Sequence, residues 1–166
     1  MPTTLTEGSK APSFDLESDR GERVTSDALR GKWVVLYWYP KDDTPGCTTE
    51  ACEIRDNWQL LSGEAELFGV SPDSVTSHQK FRDKFNLPFP LLADPDRAVS
   101  ERYGVWGQKT FMGHEYMGAD RATFIIAPDG TIARVFAKVK PAGHALELVQ
   151  ALGELKSSAP IGEVGG

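Results

Sequence analysis

Residues 37–55 read YWYPKDDTPGCTTEACEIR and contain both cysteines of the chain, Cys47 and Cys52. They continue an apolar run, WVVLYWY over residues 33–39, of the kind a buried parallel strand needs. Pro40 ends that run, because proline has no N–H to give a ladder. Residues 41–43, KDD, are polar and turn-like. Thr44 suits a helix N-cap, and Pro45 suits the first helical position, where a missing N–H is no loss. Strand, turn and helix opening in this order predict an α/β chain.

Counting on, Cys47 falls at the third helical position. A thiol there faces unpaired backbone N–H groups and the positive end of the helix dipole, which favour the nucleophilic thiolate. Gly46 has no side chain and should let another molecule approach closely. Ala51, Ile54, Trp58 and Leu61 share one helix face with Cys47, so the thiol should sit at the edge of the core. Cys52 is rotated from Cys47 by roughly 140° and lies about 8–9 Å away along an ideal helix. A disulfide tolerates Cα separations up to about 7 Å. If the two bond, the helix must unwind locally.

Pro40, Thr44 and Cys47 form the pattern P-x-x-x-T-x-x-C, and TPGCTTEAC adds Glu50 and Cys52. The chain thereby resembles the peroxiredoxins, in particular the subgroup called peroxiredoxin Q or bacterioferritin comigratory protein, over residues 8–155. The resemblance implies a thioredoxin-like α/β fold, with helices flanking a mixed central sheet. It also implies a thiol-dependent peroxidase acting on hydrogen peroxide and organic hydroperoxides in antioxidant defence and redox homeostasis. Cys47 would be the peroxidatic nucleophile, oxidised to a sulfenic acid. Cys52 would resolve it as an intramolecular disulfide, and thioredoxin or a glutaredoxin-type dithiol would reset the pair. The family's active-site arginine maps onto Arg121, directly before the strand-like ATFIIA. Without the resemblance, Arg121 reads as a surface charge and Cys52 as a buried free cysteine. No metal, haem, flavin or other cofactor is expected.

Other residues of the motif keep two readings. Thr44 either caps the helix or hydrogen-bonds the thiolate and the peroxide. Pro40 either shields the thiolate from water or merely ends the strand. Glu50 alone would disfavour a nearby thiolate, so it makes better sense as a partner orienting Arg121 than as a solvated helix residue. Trp38, Tyr39, Trp106 and Phe111 are either an apolar collar for an alkyl hydroperoxide or core. His78, His114 and His144 show no catalytic pattern, and His144 reads as structural or exposed. Residues 41–43 read as a solvated turn, since no glycine-rich phosphate cradle accompanies them.

Length and charge bound the rest. The 166 residues suggest one domain spanning 1–166, with flexible ends at 1–8 and 157–166. A net charge of −6 without a basic cluster argues against a nucleic-acid partner. No apolar run is long enough to span a membrane, and MPTTLTEGSK lacks the regions of a signal peptide. A cytoplasmic location is the default, and there two cysteines are more often redox-active than structural. C-x4-C with scattered histidines does not make a zinc site. A cysteine pair within one helix needs no second subunit, so a monomer is expected and a dimer stays possible.

In chain order, residues 14–16 and 22–25 suggest an N-terminal β-hairpin at a sheet edge after a loose start over 2–10. The cysteine helix should end near Gly63. A strand at 65–70, a helix capped by Asp73 or Ser74 and running to Asn86, a short strand at 91–93 and a helix at 95–103 follow. Residues 105–118 read as an irregular loop near the site. Residues 122–127 and 131–137 form a hairpin about Pro128-Asp129-Gly130, and Pro141 should open a last helix. Two other functions fit the cysteines: a protein thiol–disulfide oxidoreductase, against which the missing C-x-x-C counts, and a redox sensor or holdase driven by the helix unwinding.

Overall fold

The computed structural model describes residues 5–157. Its centre is β3 (Val34–Trp38), buried at every position. It pairs in parallel with β4 (Glu66–Ser71) and antiparallel with β8 (Ala122–Ile126). β5 (Leu91–Ala93) extends the parallel side. The hairpin of β1 (Asp15–Ser18) and β2 (Arg23–Thr25) adds to β5, and β9 (Ile132–Phe136) closes the other edge against β8. The seven strands run in the order β2-β1-β5-β4-β3-β8-β9.

Strand alternation splits β3 between two cores. Val34, Leu36 and Trp38 face a cluster with Phe14, Leu29, Val99 and Tyr103. Val35, Tyr37 and Tyr39 face Cys47, Ala51, Ile54, Phe81 and Leu148. The second cluster is covered by α1 (Pro45–Asp56), α3 (Val75–Phe85) and α5 (His144–Ser157), and the first by α4 (Ala98–Arg102). This is the expected mixed sheet flanked by helices, of thioredoxin-like type. α3 starts on Ser74, whose hydroxyl accepts from Ser77 N, and ends on Asn86 in the left-handed region.

Several elements depart from the sequence reading. The cysteine helix breaks at Asn57, whose side-chain amide donates to Glu53 O, and a separate turn α2 (Trp58–Leu61) follows. Residues 105–118 are no irregular loop: β6 (Trp106–Phe111) and β7 (His114–Ala119) form a separate two-stranded antiparallel hairpin. Its glycines and its largely exposed second strand hide the period-two pattern. α4 is shorter than residues 95–103 and begins after Arg97, which takes positive φ. Pro141 does not open α5, because Gly143 at φ +88° still turns the chain before His144. The start is anchored sooner than expected: Gly8 N donates to Ile132 O, and Lys10 bridges Thr131. Of the ends expected to be flexible, residues 1–4 and 158–166 lie outside the described residues, and Ser157 closes α5.

Candidate active site

Thr44 is the N-cap of α1 in extended backbone, Pro45 is the first helical residue, and Cys47 is the third. The first helical hydrogen bond runs from Thr48 N to Thr44 O, so the amides of Gly46 and Cys47 precede the ladder. Their N–H groups and the helix dipole are oriented toward the turn in which the thiol sits. The Cys47 side chain is buried against β3 and α5, and Ala51 and Ile54 continue its face into the core.

Arg121, at the entrance to β8, reaches this turn from the sheet. Its Nη1 lies 3.3 Å from Cys47 Sγ and 3.2 Å from Glu50 Oε1. Glycine at 46 is what lets it in: a Cβ there would lie 2.7 Å from Arg121 Nη2. The space left by Gly46 is therefore filled by the guanidinium, and not by an outside molecule. The main chain of Arg121 is held by Val139 N, which donates to its carbonyl.

Glu50 is buried, which removes the solvated-helix reading. Burial pushes its carboxyl up to about 7, although Arg121 pulls it down. Glu50 Oε2 and Tyr37 Oη, both buried, have no hydrogen-bond partner among the described residues. Burial first and the Glu50 charge second hold the Tyr37 phenol well above its usual range. Tyr37 and Tyr39 stack at 5.5 Å beneath α1.

The remaining motif residues are placed differently. The Thr44 hydroxyl makes no cap bond and donates instead to Lys41 O at 3.0 Å. Pro40 is exposed at the end of the β3 run. Cys52 is half-buried, both cysteines are free, and α1 is unbroken between them. Trp38 cannot belong to a collar, because it lies on the opposite face of the sheet and donates to Ser100 Oγ. Trp106 packs against that same far core, with Arg97 over its ring at 5.0 Å. Of the collar, Tyr39 alone is on the Cys47 side, and the Phe111 side chain lies outside the described residues.

The turn at 41–43 is not simply solvated. Asp42 is buried, accepting from Tyr39 Oη at 2.6 Å and Ser77 Oγ at 2.8 Å, and its Oδ2 is 2.7 Å from His78 Nδ1. Asp42 N donates to Asp73 Oδ2, which also accepts from Ser71 Oγ. Asp42, Asp73 and His78 are spaced as metal ligands could be, but these atoms are already committed to one another and to hydroxyls. Sequence reasoning passed over His78 and Asp42, whose pairing across 36 positions leaves no local signal. His144 is buried and not exposed, between Thr123 Oγ1 at 2.7 Å and Glu147 at 2.9 Å.

Residues 8–135 match the AhpC/TSA family. The chain is 52% identical over 143 residues to a putative peroxiredoxin bcp of Coxiella burnetii, covering 86% of this chain and 95% of that one. It is 45% identical over 153 residues to peroxiredoxin Bcp of Bacillus subtilis, covering 92% and 98%. The fold superposes on the bacterioferritin comigratory protein of Xanthomonas campestris, studied for its alkyl peroxide reduction activity, with a TM-score of 0.81. That pair is 35% identical over 92% of this chain and 98% of the other.

Proposed function

This chain belongs to the AhpC/TSA family and is a peroxiredoxin, a thiol-dependent peroxidase; on that premise we propose that Cys47 is its peroxidatic nucleophile and Cys52 its resolving thiol. The supporting observation is the Arg121 guanidinium 3.3 Å from Cys47 Sγ, in the first turn of a helix. In the reaction, the Cys47 thiolate attacks one peroxide oxygen and the O–O bond breaks. The departing oxygen leaves with the bonding pair, takes a proton and becomes water or an alcohol. Cys47 is left as a sulfenic acid. The guanidinium and the free amides of the first turn stand where they could stabilise charge on the two oxygens. Glu50 orients Arg121, and Thr44, whose hydroxyl donates to Lys41 O before substrate binds, would hydrogen-bond the peroxide. Pro40 shields the approach.

The Cys52 thiolate then attacks Cys47 Sγ. An S–S bond forms, the S–O bond breaks, and hydroxide leaves as water after taking a proton. This step requires the first turns of α1 to unwind, because an intact helix holds the two too far apart. A dithiol of the thioredoxin or glutaredoxin type restores both thiols by exchange. Hydrogen peroxide and organic hydroperoxides are the proposed substrates, the latter in line with the Xanthomonas relative. We further read residues 1–166 as one domain acting as a monomer, since both cysteines lie in one helix. A reducing, cytoplasmic setting suits the thiol pair. Among the described residues, no helix is long and apolar enough to cross a membrane.

The test is a stopped-flow trace of reduced protein with stoichiometric hydrogen peroxide. Trp58, packed on Phe89 just beyond α1, should report the unwinding. Rapid loss of both thiols with a fluorescence change, abolished in Cys47→Ser, is the expected result. Cys52→Ser should complete one round and stop at a sulfenic acid visible by mass. Thiol loss no faster than that of an ordinary cysteine would instead favour the oxidoreductase or sensor readings.

A further inference from the structure

His78, on α3, is wholly buried, and its two short hydrogen bonds fix where its protons are, the Tyr39 hydroxyl standing farther off at 3.5 Å from Nδ1. Its Nε2 lies 2.9 Å from the carbonyl oxygen of Leu92. A carbonyl only accepts, so Nε2 carries a hydrogen. Its Nδ1 lies 2.7 Å from Asp42 Oδ2, and a proton must lie between those atoms too, since two bare lone pairs would repel. Asp42 already accepts from two hydroxyls, Tyr39 Oη and Ser77 Oγ, which stabilise it as a carboxylate. The Asp73 carboxylate is a second negative group in the cluster. The shared proton therefore belongs on the imidazole.

The groups facing this pair come from every element around it. They are Tyr39 at the end of β3, Ser71 and Asp73 at and beyond the end of β4, Ser77 on α3, and the Leu92 carbonyl on β5. Of the other charges of the turn and of α3, Asp43 and Lys84 pair with each other at 2.8 Å, Arg82 pairs with Asp19 and Asp83, and Lys41 and Lys80 are exposed. Among the described residues, His78 is the basic side chain that pairs with Asp42. By contrast, the buried His144 has a carboxylate on Nδ1 and a hydroxyl on Nε2, so a neutral ring satisfies it.

Asp42 sits in the turn that joins β3 to α1, just before the cap Thr44. We propose that His78, as an imidazolium paired with Asp42, is a positioning residue that pins this turn to α3 and β5. It thereby sets the balance between peroxide attack at Cys47 and the unwinding that Cys52 requires. The proposal rests on the peroxidase reading above. A pinned turn fixes the start of α1, and with it the Cys47–Arg121 geometry. The same tether resists unwinding from the N-terminal side. Releasing it should slow the first step and speed the second, which general loss of stability would not do selectively.

Two measurements test this. In nitrogen-15 histidine NMR of the reduced wild-type protein near neutral pH, both His78 nitrogens should be protonated, with a downfield Nδ1 proton. A neutral His78 ring overturns the proposal. In stopped flow, Asp42→Asn and His78→Gln should lower the rate of the peroxide step roughly tenfold or more, since small misplacements carry large rate effects. They should also raise the rate of disulfide formation. If either variant fails to fold, Tyr39→Phe, which removes one donor to Asp42 and keeps the ring, should show the same opposed changes at smaller size. Fast wild-type rates with both steps unchanged in the folded variants overturn this proposal alone. A wild-type protein no more reactive than an ordinary thiol overturns the peroxidase reading and this one with it.

Discussion

Glu50 is held almost out of water, and burial moves its carboxyl from an ordinary 4.5 to about 7. The folded protein therefore keeps this proton to higher pH than the unfolded chain does. The carboxyl carries no penalty below about pH 4.5, and stability is lost as pH rises from there through about 7. The loss is on the order of 3 kcal/mol. Glu50→Gln should remove that slope, as urea unfolding of both proteins at pH 4.5 and pH 8 would show. A wild-type slope retained in the variant would place its origin elsewhere. The same substitution should slow the peroxide step several-fold by loosening Arg121. Gly46→Ala tests the close approach of Arg121. Its Cβ would displace the guanidinium from Cys47 and the buried Glu50, so unfolding should move by about 1–3 kcal/mol as Glu50 loses its partner. Peroxide reactivity, measured by competition with a reference thiol, should fall about tenfold or more. At this scale Cys47 was legible as a candidate nucleophile because its place in the first helical turn argues for it, whereas Cys52 was singled out through the family resemblance. Arg121 needed the family motif, since nothing local distinguishes an arginine before a strand. Asp42 and His78 were illegible because their burial depends on how α3 packs beside the β3–α1 turn.

The cysteine helix combines a first turn that carries the proposed nucleophile with a buried middle. Ala51 and Ile54 are fully buried, so the part that must move for a disulfide is fastened to the core one turn later. In the oxidised protein, hydrogen exchange at the amides of residues 48–52 should be faster by roughly tenfold or more than in the reduced one, while α3 stays unchanged. Equal protection in both states would contradict the unwinding. Ile54→Ala should cost about 2–5 kcal/mol in unfolding by urea. Elements with strong local punctuation were legible: the N-terminal hairpin, the Pro128-Asp129-Gly130 turn and the Ser74 cap all stand where their residues indicate. The β6–β7 hairpin was not. Met112 and Gly113 turn it with positive φ, and Tyr116 and Met117 are both exposed, so no buried face imposes alternation.

Across the whole molecule, one strand organises both cores. β3 sends alternate residues to opposite sides of the sheet, so the far core with Trp38 and the near core with Cys47 share a backbone. The near side holds Cys47, the proposed nucleophile, and the far side holds Trp38 and Tyr103. Because both cysteines belong to α1, and α1 belongs to the near core, the proposed Cys47–Cys52 disulfide would forfeit part of the native packing of its first turns. The consequence is a bias in reduction potential. Each 1.4 kcal/mol of packing forfeited by the disulfide raises the potential of the couple by about 30 mV. Forfeiting about 3 kcal/mol, roughly one buried aliphatic side chain, places it about 60 mV above the same cysteine pair in a free peptide of residues 37–55. Equilibration of both with a dithiothreitol buffer should show this offset, and equal potentials would refute it. The helix that shelters the thiol would then also expel the oxidised state, so that refolding itself assists whichever dithiol returns the electrons.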